Sequence, residues 1–184
     1  MAIYMAIAIK KIVASERSYD KRKFFSKRKL IAFSYLYKKP KMLLNISHDY
    51  SSKKEKIDTE VGKTFTLAER KKWKGISHQN INITAASLDI YNLLTANGKE
   101  NTCNIEMRPN GIIISFRSMQ ETYALVIPNY KLKVYKGKAE EYSFYKDQHF
   151  IKIWAGSNDP EIHQFVKKII KNKSDNAPTR VDDL

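Results

Sequence analysis

Cysteine is almost missing from this chain. Cys103 stands alone among 184 residues, which excludes an internal disulfide, and no Cys/His group has zinc-site spacing. That usage fits a reducing interior. Glycine is sparse as well: six residues are scattered singly, so no glycine-rich loop can cradle a phosphate, and Asn97-Gly98-Lys99 is a turn signal only. Long apolar runs are lacking. Met1–Ile9 is too short to span a bilayer, and no other segment approaches about 18 uninterrupted apolar residues. A secretory signal carries its positive charges ahead of the apolar stretch, whereas Lys10 and Lys11 follow it here. The expectation is a soluble, cytoplasmic protein with no transmembrane segment.

Catalytic constellations are missing too. His48, His78, His149 and His163 are scattered, and none shares a short motif with a nucleophile or a carboxylate pair. Glu140 and Glu141 are adjacent, and neighbouring strand residues point to opposite faces. Cys103 falls on the inward face of a predicted strand, where a thiol behaves as a small hydrophobe. The reading is therefore not an enzyme, and no cofactor or metal is implied.

What the chain does have is positive charge, unevenly placed. Residues 1–41 hold twelve Lys/Arg against Glu16 and Asp20, a net +10 of the total +15; residues 42–184 hold 22 against 17, a net +5. Phe24, Phe25, Phe33, Tyr35 and Tyr37 interleave with the basic triplets Lys21, Arg22, Lys23 and Lys27, Arg28, Lys29. Such a mixture suits nucleic acid or an anionic membrane surface. The other reading is a poorly ordered extension ahead of Met42 that the cell does not translate. Lys far outnumbers Arg, as in an AT-rich genome, and lysine is the weaker group for bidentate phosphate recognition.

Residues 42–80 read as a linker with one short helix. The stretch 45–62 is polar and mixed in charge. Thr66 and Glu69 have capping-box spacing, which predicts a short helix carrying Arg70, Lys71, Lys72, Trp73 and Lys74 and ending at Gly75, with Trp73 turned to the core. Ile81–Asn97 is open between a first strand that starts within it and a helix from Thr84 to Gly98 presenting Leu88, Tyr91 and Leu94; the reading leans to the strand.

Beyond it, alternation predicts strands. Thr102–Arg108 turns through Pro109-Asn110-Gly111, where Asn-Gly accepts positive φ, into Ile112–Arg117. Thr122–Ile127 follows and stops at Pro128. Lys131–Lys136 keeps Leu132 and Val134 inside. Glu141–Lys146 and His149–Trp154 form a last hairpin with Ile151 and Ile153 inward. Asp159-Pro160 caps a helix whose stripe is Ile162, Phe165, Val166, Ile169 and Ile170. Residues 174–184 read as a disordered tail.

The fold class is α+β, mainly antiparallel β: about seven strands closed by a C-terminal amphipathic helix, over residues 81–173. The run NGIIISFRSMQETYALVIPNYKLKVYKG, with its Ile127-Pro128 step, and IKIWAGSNDPEIHQFVKKII resemble the bacterial pleckstrin-homology-like (PH-like) pattern. That resemblance implies a split barrel or sandwich of two roughly orthogonal sheets and a small binding module. Two functional expectations follow. The first is recognition of a protein or peptide, with Lys131, Lys133, Lys136 and Lys138 as the candidate ligand site. The alternative is polyanion binding through Lys21, Arg22, Lys23, Lys27, Arg28 and Lys29 of the arm, helped by Arg70, Lys71, Lys72 and Lys74.

Overall fold

The computed structural model describes residues 43–48, 50–96, 101–137, 140–156 and 159–177, all within the compact unit Lys41–Leu184. The basic arm, Gly98, Lys99, Lys138 and residues 178–184 lie outside the described residues. The elements are β1 (Leu43–Asn45), α1 (Tyr50–Val61), α2 (Leu67–Lys72), β2 (Ser77–Ala86), α3 (Leu88–Thr95), β3 (Thr102–Arg108), β4 (Gly111–Ser118), β5 (Glu121–Pro128), β6 (Lys133–Lys136), β7 (Glu141–Lys146), β8 (His149–Trp154) and α4 (Pro160–Asp175).

The strands form one open antiparallel sheet in the order β1-β5-β4-β3-β2-β8-β7-β6. Its hairpins follow from alternation and turn chemistry, and β3 to β8 lie within a residue or two of the expected bounds. Strand β2 belongs to both halves of the sheet. Its first part pairs with β3 and its last residues pair with β8, with a register shift in each pairing. At the first shift Asn80 has φ of 56°, and its N–H donates to Asn104 Oδ1 at 2.9 Å. Asn tolerates the left-handed region better than a branched residue does, so it suits a bulge.

Three expectations change. The stretch 45–62, read as a linker, holds the whole of α1. Its burial rests on Ile57 and Val61, which cover Ile113, Ala124 and Val126 on the outer face of β4 and β5. Two apolar positions four residues apart leave too thin a stripe to stand out in a polar segment. Gly62, at φ +82°, then ends the helix, its N–H on the Asp58 carbonyl at 3.0 Å; that left-handed stop favours glycine.

The stretch 81–97 holds both structures that competed for it. The strand begins upstream at Ser77 and runs to Ala86, and α3 begins two residues later. The buried pair on α3 is Ile90 and Leu94, while Leu88 is 73% exposed. At the far end, Ile170 is 47% exposed and leaves the stripe of α4 to Ile162, Phe165, Val166 and Ile169.

The third change concerns Pro109-Asn110-Gly111. Neither Asn110 nor Gly111 has positive φ. Glycine is required there for room: a Cβ on Gly111 would collide with the Ile127 carbonyl oxygen and lie 2.9 Å from the Pro128 Cα. That turn gathers much of the molecule. Asn110 N–H donates to the Val61 carbonyl at 2.9 Å, and Asn129 N–H donates to the Asn110 carbonyl at 2.8 Å. Asn172 of α4 donates to the carbonyls of Arg108 and Pro109 at 3.0 and 3.2 Å, and Asn176 donates to Pro109 at 3.1 Å. The Arg108 guanidinium, buried, pairs with Asp58 of α1 at 3.2 Å and Glu106 at 2.8 Å.

The main core lies on the other face of the sheet, where Ile105, Met107, Ile112, Ile114, Leu125, Phe144, Ile151 and Ile153 meet Ile90 and Leu94 of α3 and the stripe of α4. Lys146 is buried at the end of β7, and its ammonium donates to the Val126 carbonyl of β5. Burial holds its pKa below the ordinary lysine value. No helix among the described residues is long and apolar enough to cross a membrane.

Asn172→Ala strips donors from two carbonyls at the β3–β4 turn. We expect a loss of about 1–3 kcal/mol in urea unfolding, without a change in the strand content seen by circular dichroism.

Candidate functional site

Strands β6, β7 and β8 are held in register by Lys133↔Tyr145 and Tyr135↔Ser143 on one side and by Tyr145↔Phe150, Ser143↔Lys152 and Glu141↔Trp154 on the other. Tyr142, Phe144, Ile151 and Ile153 point into the core and are buried. Period-two alternation therefore sends Lys133, Tyr135, Glu141, Ser143, Tyr145, Phe150, Lys152 and Trp154 to the opposite face. Helix α1 packs on β4 and β5, α3 on β2 and β4, and α4 on β2, while Tyr135 and Trp154 keep 57% and 47% of their surface in solvent.

The aromatic side chains of this face are arranged, not merely neighbouring. Tyr135 meets Tyr145 edge to face, with centroids 5.5 Å apart at 82°. Tyr145 lies 5.4 Å from Phe150 at 32°. Tyr145 is thus wedged between two rings, and the open ring surface is at Tyr135. Trp154 lies over Gly156, where an added Cβ would come within 2.7 Å of its ring. His163 of α4 secures that glycine: its Nε2 is 3.2 Å from the Gly156 carbonyl and its Nδ1 is 2.9 Å from the Tyr142 hydroxyl. A carbonyl can only accept, so Nε2 carries a proton, and in the neutral imidazole Nδ1 accepts from the tyrosine.

Of the four lysines expected as a ligand site, the three described ones, Lys131, Lys133 and Lys136, do not share one face. Lys131 sits in the turn before β6, where its ammonium bonds Asp147 at 3.2 Å, a contact that raises its pKa above the ordinary lysine value. Lys133 joins the aromatic face. Lys136 lies one position out of phase with it, on the side of Val134. Lys138 lies outside the described residues.

The second basic group rests on α2, whose capping box forms as expected, with the Thr66 N–H on Glu69 Oε2 at 2.8 Å. Arg70 Nε donates to the Phe65 carbonyl at 3.0 Å; Lys71, Lys72 and Lys74 are exposed. Trp73 packs against the core as anticipated.

Two other surfaces compete less well. Because the Gly137 N–H bonds the Glu141 carbonyl at 2.7 Å, ladder alternation turns the main-chain groups of Val134 and Lys136 to the free edge of β6. Two open residues set among lysines make a blunted edge, a poor template for an added strand. A groove of about 340 Å³ beside α4 is lined by Lys74, His78, Glu161, Gln164 and Lys168, among others. The Lys168 ammonium there is already engaged by the Lys74 carbonyl at 2.8 Å. Among the described residues no group of three His, Cys, Asp or Glu is placed to hold a metal ion.

The sequence reading missed the aromatic face, although the signal was present. Placing Ile151 and Ile153 inward already sends Phe150, Lys152 and Trp154 outward. What alternation within one strand does not reveal is which strands lie side by side, and hence that Tyr135 and Tyr145 join them.

Two predictions follow from this geometry. Gly156→Ala displaces the Trp154 ring, so with Trp73 replaced by Phe the emission of Trp154 changes while the fold persists. Burial pushes the Cys103 thiol up to about 12, so at pH 8 a thiol reagent reacts with it only after unfolding, in step with denaturant; rapid labelling of the native protein contradicts this. No protein-family model, no curated protein and no solved structure matches this chain.

Proposed function

We propose that this chain is a small PH-like binding module that recognises a protein or peptide partner through the outer face of β6, β7 and β8. The observation that carries the reading is that face: Tyr135 and Trp154 largely in solvent, with Tyr145 and Phe150 packed between strands beside them. Tyr, Trp and Phe are the residues that anchor protein interfaces, because each removes a large area from water at little rotamer cost. The PH-like reading draws support from the order of elements. Seven strands, β2 to β8, are followed by α4, and two half-sheets share β2. Strand β1 and helices α1, α2 and α3 are additions to that order.

The test separates binding from stability. Tyr135→Ala and Trp154→Ala cost less than about 1 kcal/mol each in urea unfolding, as exposed positions do. A photo-crosslinking side chain placed at 135 or 154 in the source cells yields the same discrete protein adduct from both positions, and none from Lys54 on the exposed side of α1. Equal labelling from all three positions, or none, overturns the reading.

A further inference from the structure

We infer that the partner segment is an acidic, extended peptide that sets one aromatic or large aliphatic side chain on the aromatic face and its carboxylates on Lys133 and Lys152. This rests on the peptide-binding reading and names the chemistry of the partner. Charge is the first ground. Lys133 and Lys152 share the face, two strands apart and offset by two residues along them, or roughly 12 Å at the usual strand spacing and rise. The acid that alternation places with them is Glu141, which lies beside Trp154 at the corner. Lys131, one turn away, is engaged by Asp147. An extended chain advances roughly 3.3 Å per residue and alternates its side chains, so carboxylates four positions apart, about 13 Å, share one face and reach both lysines with an apolar residue midway between them.

Ring geometry is the second ground, and it tells a peptide from a polynucleotide. Successive bases need a run of open ring faces along a continuous cationic groove. Here Tyr145 has an edge-on neighbour on one side and a tilted ring on the other, so the four rings do not form such a run. Lysine, moreover, lacks the planar fork that grips phosphate. A single hydrophobic anchor flanked by two charges is what the surface accommodates.

The experiment displays random dodecapeptides and selects them on the full-length chain, with counter-selection on the Tyr135→Ala/Trp154→Ala double variant. Enriched peptides are expected to be net acidic with an aromatic or large aliphatic residue. They lose about five- to tenfold in affinity on Lys133→Glu/Lys152→Glu and regain it when their own acids become lysines. Enrichment of neutral or basic peptides overturns the acidic class while leaving peptide binding at this face intact. No enrichment over the double variant overturns the binding face itself. Oligothymidylate shifting Trp154 emission, with affinity falling steeply as salt rises, replaces both with a nucleic-acid surface.

Discussion

The two-residue turn between β3 and β4 is the contact on which the rest of the structure depends. A tight turn leaves carbonyls that no neighbouring strand can bond, and a buried carbonyl without a donor is costly. Here those of Arg108 and Pro109 receive amides from Asn172 and Asn176 of α4. The Asn110 N–H and carbonyl meet the end of α1 and the start of the β5–β6 turn. Arg108 is buried next to them, and its charge is tolerable because Asp58 and Glu106 stand against it. One turn therefore fixes the last helix, the first helix and the corner after β5 relative to the sheet. Gly111 lets the end of α1 and the end of β5 come that close.

From that corner the sheet extends two ways through β2. Both edges of this strand are paired, with β3 and then with β8, and the register shifts let one strand serve two directions. The two halves are finished differently. Over β4 and β5, α1 lies on the outer face with Ile57 and Val61. Over β6, β7 and β8 the outward residues are mostly aromatic and basic, and Tyr135 and Trp154 remain in solvent. Exposed rings of this size on an otherwise polar surface commonly mark a contact surface. His163 links that face to the core, since it bonds the Gly156 carbonyl while the Trp154 ring lies against the same glycine.

Alternation and turn chemistry made β3, β4, β5, β7 and β8 legible in the residues, and the Asp159-Pro160 start of α4 was equally plain, with Asp159 Oδ1 accepting the Ile162 N–H at 3.2 Å. The Thr66–Glu69 capping box was readable for the same reason: its atoms lie within one turn of chain. Two of the five residues in the expected stripe of α4 show the limit. Ile169 is buried and Ile170 exposed, because a helix turns 100° per residue and only the neighbouring sheet decides where the covered arc ends.

The sequence by itself determined the antiparallel hairpins, the closing helix and the inward thiol, since all of these rest on contacts between residues close in the chain. Tertiary structure decided the rest. It turned a polar lead-in into α1 by offering Ile57 and Val61 a sheet face, and it gave Gly111 a steric role where conformational freedom was expected. It also engaged Lys131 with Asp147 and set Lys133 beside Tyr135 and Tyr145. Each of these depends on which strand lies beside which, and side-by-side order is a property of the whole sheet that no local pattern of residues encodes.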